Sequence, residues 1–222
     1  MDHEILFDQE LKELKGTVQK MGRAVQGLIE RSVRALKERD KNLAKAVIKD
    51  DVAVDQMELA IDDASITLIA IRQPKAVDLR TIMTGLRIAT DLERIGDLAE
   101  DIAERAIELA EQPLLKPLID IPRMAALAEQ AVAYSLEAFI EHDAAKARAI
   151  WEIEKEVDYL RDLVHNELLE IMGRDPATIT RGIPLLLVSR HLERISDHAT
   201  NIAEDVIYMV EGNVVRHSGA QD

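Results

Sequence analysis

The chain has 222 residues, 47% of them hydrophobic and 32% charged, with only 3% aromatic and no cysteine. That apolar share is too high for a disordered chain, and the length is enough to bury roughly 70% of the unfolded surface. The absence of cysteine excludes disulfides, thiolate metal sites, iron–sulfur clusters and cysteine nucleophiles. Asp and Glu outnumber Lys and Arg 42 to 28, a formal charge of −14. Such a surface repels nucleic acid and anionic lipid and attracts metal cations and basic partners.

In chain order the first predicted helix spans 5–39, where Val25, Leu28, Ile29, Ser32, Val33 and Leu36 fall on one helical face. The second, 41–72, carries the heptad row Val47, Val54, Ile61 and Leu68. The third, 75–111, starts at Pro74 and carries Ile88, Ile95, Ile102 and Leu109. Pro113, Pro117 and Pro122 then mark a linker at 113–122, overlapping the start of a fourth helix over 121–142. The fifth, 144–172, carries Ile150, Val157, Val164 and Ile171 and is closed by Gly173. The sixth, 176–211, runs from Pro176 to Gly212 with Val188, Ile195, Ile202 and Met209 in a row, and a kink is expected at Pro184. No strand-like alternation interrupts them, and rows of this length suit long helices packed at a shallow angle.

The two halves repeat. Residues 91–107 (DLERIGDLAEDIAERAI) match 191–207 (HLERISDHATNIAEDVI) at ten of seventeen positions with an offset of 100. With an offset of 103, Asp40, Ala44, Val54 and Asp55 land on Asp143, Ala147, Val157 and Asp158. The prediction is an all-α protein of two tandem, sequence-similar three-helix bundles. The first occupies 1–112 and the second 123–212, with a flexible tail at 213–222. The acidic start Met1-Asp2-His3-Glu4 lacks the basic region of a signal peptide. The longest apolar run, Ile183 to Val188, is far below the roughly 20 residues that cross a bilayer. A cytoplasmic protein without membrane insertion is expected.

Four segments that match between the halves carry an acid followed by Asp one helical turn later: Asp51 and Asp55, Glu93 and Asp97, Glu154 and Asp158, Glu193 and Asp197. Spacing of i and i+4 stacks both side chains on one face. Asp101 extends the third-helix row and Asn201 the sixth-helix row, as weaker additions. The pairs border the apolar seams, so two facing helices bring four carboxylates together in each half. Acids fill about a fifth of the chain, so a single pair carries no information, and Arg94 and Arg194 offer a purely structural salt-bridge explanation. Like charges one turn apart are mildly destabilising, however, and these pairs recur at matching places in both halves. An oxygen-ligated cation is the sharper reading.

Other chemistry is not visible. None of the six His follows a Glu in the Glu-x-x-His spacing of di-iron bundles. His165 and His198 lie near acids but have no counterpart in the other half. Gly-rich phosphate loops, nucleophile elbows and His-Glu-x-x-His are absent. Gly96 is matched by Ser196, so smallness is what the halves share, and Trp151, aligned with Ile48, reads as packing.

Two stretches carry a family resemblance. Arg72-Gln73-Pro74-Lys75-Ala76-Val77-Asp78-Leu79-Arg80 followed by Asp91-Leu92-Glu93-Arg94-Ile95-Gly96-Asp97 resembles the PhoU family of phosphate-uptake regulators. So does His191 to Glu204 (HLERISDHATNIAE), ending in Val206-Ile207-Tyr208-Met209-Val210-Glu211-Gly212. Ser196 stands where the family usually has Gly, and Asp51 where Glu is common. The resemblance implies a non-enzymatic cytoplasmic regulator, a homodimer of two-bundle chains. It would link the ATPase subunit of a phosphate ABC transporter to a sensor histidine kinase and hold the phosphate-starvation response off when phosphate is plentiful. It also implies multinuclear metal sites, iron or zinc, at Asp51, Asp55, Glu93, Asp97, Glu154, Asp158, Glu193 and Asp197. Phosphate binding normally uses Arg clusters or helix N-termini, so a chain of charge −14 is expected to sense phosphate through the transporter's conformation. The alternatives are a carboxylate-bridged metal enzyme, for which no general base or nucleophile beyond the ligands is evident, and a purely structural helical scaffold.

Overall fold

The computed structural model describes residues 2–214, with side chains from residue 6 onward. Seven helices follow one another: α1 (Asp2–Glu38), α2 (Lys41–Arg72), α3 (Ala76–Ala110), α4 (Asp120–Glu141), α5 (Ala144–Arg148), α6 (Ile150–Arg174) and α7 (Ile179–Glu211). A 3-10 turn at Pro176–Thr178 precedes the last. No strand occurs among the described residues. Helices α1, α2 and α3 pack on one another, as do α4, α6 and α7 with the short α5 beside them. The two groups meet where α3 lies on α7 and α1 on α4. The tail beyond 214 lies outside the described residues.

The apolar periodicity explains the packing. Every residue of the α1 face from Val25 to Leu36 singled out above is buried, and so are the heptad rows of α2 and α7. In α3 and α6 only the last member of each row, Leu109 and Ile171, is half-buried, because each sits near its helix end. With so few aromatics the core is aliphatic, and Phe139 on α4 is its largest fully buried side chain.

The duplication is visible at the level of single hydrogen bonds. Arg39 and His142, 103 residues apart, both close their helices in the left-handed region, with φ of 61° and 56°. Asp40 and Asp143 follow and cap α2 and α5 alike. Asp40 Oδ1 accepts from the amides of Asn42 and Leu43 at 2.9 and 3.0 Å, and Asp143 Oδ1 from those of Ala145 and Lys146 at the same distances. A carboxylate that satisfies two orphan N–H groups at a helix start is a strong local signal.

Three expectations about boundaries change. The fifth predicted helix divides at Ala149, whose amide is shared between the carbonyls of Ala145, Lys146 and Ala147; this sharing tightens one turn and separates α5 from α6. Pro176 opens the 3-10 turn, capped by Asp175, one step before α7 proper. Pro122 falls inside the first turn of α4, where a missing N–H is tolerated, so the connection ends before Asp120. Pro184, expected to kink the last helix, lies inside α7, which continues unbroken past it. Near the helix start its missing N–H leaves only the Thr180 carbonyl without its intrahelical donor.

The proline-rich connection is an apolar strap. Leu115 and Leu118 pack against the core, and Leu114 and Pro113 join Leu36, Leu109 and Leu185 around a small crevice. Arg39 ties it to the first half by donating to the carbonyls of Ala110 and Gln112 at 2.9 and 2.6 Å.

Helices α3 and α7 run antiparallel across the seam. Arg80 reaches the Met209 carbonyl, Arg87 the Asp205 carboxylate at 3.0 Å, Asp91 the His198 ring at 2.8 Å, and Asp101 approaches His191 at 3.7 Å. Asp91 also faces Asn201 in a groove of about 470 Å³ between the two helices. Shifting Asp101 and His191 by the repeat offset gives Asn201 and Asp91, so the halves are related by an approximate twofold through this seam.

Candidate metal centre: two carboxylate clusters

Helix α2 presents Asp51 and Asp55 toward Glu93 and Asp97 of α3. Asp51 is the best-enclosed acid of the set, with 4% of its surface exposed, and its Oδ1 has no hydrogen-bond partner. Burial pushes its carboxyl up to about 7, and Asp55, Glu100, Asp97 and Glu93 add to the rise in that order. Glu93 is raised for the same reasons, burial first and Asp97 second, with Arg94 opposing. Its Oε2 is also buried without a hydrogen bond. The Arg94 Nε lies 3.3 Å away but outside hydrogen-bond geometry, while Arg94 Nη1 donates to Asp97 at 3.0 Å.

Gly96 makes the approach of Asp51 possible. A Cβ built there would lie 2.4 Å from Asp51 Oδ1 and 3.4 Å from Val54 Cγ1. In the second half Ser196 and Glu154 occupy these places, so a longer acid goes with a larger neighbour. Gly96→Ala is expected to destabilise the protein by about 1–3 kcal/mol, as overpacking in a close helix contact does. Combining it with Asp51→Ala should restore part of that loss. Urea unfolding of the two single variants and the double variant measures the coupling; strict additivity would show that Asp51 is not what fills the space.

In the second half Glu154 and Asp158 of α6 face Glu193 and Asp197 of α7. Burial raises Glu154, with Asp197 adding, and Thr200 leans on it without a well-formed hydrogen bond and opposes the rise. Asp197 is pushed upward first by the protein packed around its carboxyl and then by Glu193 and Asp158, although its residue keeps an exposed edge. Burial raises Asp158 as well, against the pull of Arg161. Arg161 spans the cluster: Nη1 donates to Asp158 at 3.1 Å and to Glu193 at 2.5 Å, and Nη2 donates to Asp162 at 2.9 Å.

The eight predicted acids therefore gather into two groups, four on each facing helix pair. The two weaker additions do not join them. Asp101 lies at the seam opposite His191, and Asn201 lines the groove opposite Asp91. The reason is angular: eight residues along a helix turn the side chain by about 80° from the starting row, whereas seven bring it back to within about 20°. Glu100, seven residues after Glu93, and Glu58, seven after Asp51, stay on the row. Both act on the first cluster: Glu100 raises Asp51, and Glu58 raises Glu93. Neither stands among the acid pairs that recur between the halves, and a search at i+7 rather than i+4 and i+8 finds them. Arg161, at i+3 from Asp158, is a participant in the second cluster that the acid pairs alone do not reveal.

The donor set fits a hard or borderline cation. It is all oxygen, it contains a buried carboxylate oxygen without a partner, and it crowds like charges that a divalent ion would relieve. Among the described residues no three acid or imidazole groups already converge into a cage, so ligation requires rotamer changes at the exposed members, Asp55 and Asp97 first.

A family model described as the PhoU domain matches the chain twice, over residues 18–106 and 121–206. The phosphate-specific transport system accessory protein PhoU homolog of Aquifex aeolicus is 44% identical over 209 residues, covering 94% of this chain and 95% of that one. The homolog of the same name from Rhizobium meliloti is 41% identical over 207 residues, covering 93% and 87%. The crystal structure of PhoU from Pseudomonas aeruginosa superposes with a TM-score of 0.89 at 36% identity, covering 93% of this chain and all of that one. With both halves matched, the sequence similar over nearly its full length and the same arrangement of helices, the chain belongs to the PhoU family.

Proposed function

We propose that this chain is an accessory protein of a phosphate-specific transport system and a negative regulator of the phosphate-starvation response. The observation that carries the reading is the match to PhoU relatives over both halves and nearly the whole length. In this reading the chain acts as an adaptor, as a homodimer in the cytoplasm, between the transporter's ATPase subunit and a sensor histidine kinase. No helix among the described residues is long and apolar enough to cross a membrane, which suits docking on a membrane complex from one side. Phosphate reaches the regulator as transporter conformation, by differential contact with the transporter's states.

The acid clusters serve this role as ion-holding sites. Asp51, Asp55, Glu93 and Asp97 are the ligand set of the first half, and Glu154, Asp158, Glu193 and Asp197 are the corresponding set of the second. When bound, the ion supplies positive charge that neutralises crowded carboxylates and offers an anionic partner a point of contact. The side chains of this chain do the rest: Asp51 stays dry against Gly96, while the outer acids orient toward solvent.

The test is a phosphate-starvation reporter in a strain lacking this protein and kept in excess phosphate. Output should be constitutive in the deletion and silent again with the wild-type chain. Complementation with all four acid pairs changed to Asn or Gln should leave the reporter partly on, and the metal content of natively purified protein should fall in Glu93→Gln/Asp97→Asn. A reporter that stays silent in the deletion, with no second copy in the genome, would overturn the regulatory reading.

A further inference from the structure

The repeat offset pairs Glu58 with Arg161 and Glu100 with Thr200. At these two places the second cluster differs from the first by three units of positive charge, two from Glu to Arg and one from Glu to Thr. The geometry follows the charge. Arg161 lies across α6 and α7 with its side chain three-quarters covered, bonded to Asp158, Glu193 and Asp162. The arginine of the first cluster, Arg94, is more than half exposed and stays on α3, touching Glu93 and Asp97 from outside. It does not satisfy Asp51, whose Oδ1 is buried between α2 and α3 without a partner. That unpartnered oxygen, on a side chain 4% exposed, separates the first cluster from an ordinary solvated acidic face.

We propose that the two clusters are not equivalent cation sites: the α2–α3 cluster takes an ion from solution, whereas the α6–α7 cluster holds a cation of its own in the Arg161 guanidinium. The proposal rests on the reading of these clusters as metal sites and adds which half binds. An ion entering the second cluster has to displace charge-assisted hydrogen bonds to two of its four acids, which weakens its binding by roughly 10- to 100-fold relative to an open cluster. A guanidinium held between carboxylates is a plug of fixed length, and a single substitution removes it.

Titration of the metal-stripped full chain with Mn²⁺, with the free ion counted by electron paramagnetic resonance, tests this. Wild type should show one class of tight sites. Asp51→Asn/Asp97→Asn should abolish it, and Glu154→Gln/Asp197→Asn should change it less than about twofold. Arg161→Met should add a second class of sites, which disappears again when Glu154→Gln/Asp197→Asn is introduced beside it. Arg161→Gln repeats the experiment with a polar replacement, and circular dichroism establishes that each variant is helical. Equal losses from the two acid double variants in the wild-type background would overturn the proposal, as would Arg161 variants that are folded and bind no more than wild type. Folded proteins that bind no Mn²⁺ at all, Arg161 variants included, would overturn the metal reading itself and this inference with it.

Discussion

Phe139→Ala is expected to lower stability by about 3–5 kcal/mol. The side chain is 1% exposed and belongs to α4, yet its ring reaches into the first half. Its ring tip lies 3.6 Å from where a Cβ on Gly85 of α3 would stand, with Val18 of α1 beside it, and Lys15 of α1 sits 5.9 Å from the ring centre. Truncation opens a cavity where the halves join, so the neighbours cannot collapse into it without moving one bundle against the other. For a chain of this size the loss corresponds to a melting temperature lower by about 6–20 °C. Thermal unfolding by circular dichroism reads it, and a shift under about 3 °C would mean that α4 is not locked by this ring. The chain has only two Phe, and the other, Phe7, is half-buried near the start of α1.

Glu129→Gln should stabilise the protein in a pH-dependent manner. Glu129 lies on α4 and faces Glu30 of α1, which is itself paired with Arg34 at 3.0 Å. Burial first, and Glu30 second, push its carboxyl up to about 7. In the unfolded chain the group releases its proton near 4.3. Between about 4.3 and 7 the folded state holds the extra proton, so raising the pH through this window removes stability, and above 7 the full penalty remains. Gln mimics the protonated form. The variant should therefore gain about 1–3 kcal/mol over wild type at pH 8 and almost nothing at pH 4.5, after allowing for partial exposure. Urea unfolding at the two pH values decides it; a gain equal at both would show a packing effect instead.

The same interface carries the reverse case. His142 receives a hydrogen bond from Lys15 at 2.6 Å, and burial, with Lys15 adding, holds its ring below the usual range. The folded state then binds fewer protons than the unfolded chain as pH falls through about 6.5, and stability drops on the acid side. Two like-charged contacts, one basic and one acidic, thus narrow the pH range over which α1 and α4 fit best.

Much of this architecture was legible before any coordinates. Heptad rows of Ile, Val and Leu specify buried faces because a seven-residue step returns nearly to the same side of a helix. The repeat aligned Asp40 with Asp143, and the structure adds that both are helix caps. Elements whose cause is tertiary were not legible. The division at Ala149 leaves helical dihedrals intact and follows from shared carbonyls rather than from a breaker residue. The eight acids gather as their spacing implies, but Asp101 and Asn201 leave their rows because helical drift carries them toward α3–α7. The intrusion of Arg161 depends on which way one long side chain turns, and residue spacing does not encode that choice.

The approximate twofold at the α3–α7 seam has an evolutionary consequence. In an assembly of two identical chains, any substitution at such a contact appears on both sides of the axis, so a pair can change only if its mirror image tolerates the same change. Joining the copies through the strap at 111–119 removes that restriction. Asp101 can meet His191 while the mirrored positions carry Asn201 and Asp91, and Gly96 can accommodate a short acid while Ser196 stands beside a long one. Covalent fusion is thus what permits a symmetric scaffold to diverge into two halves with different chemistry.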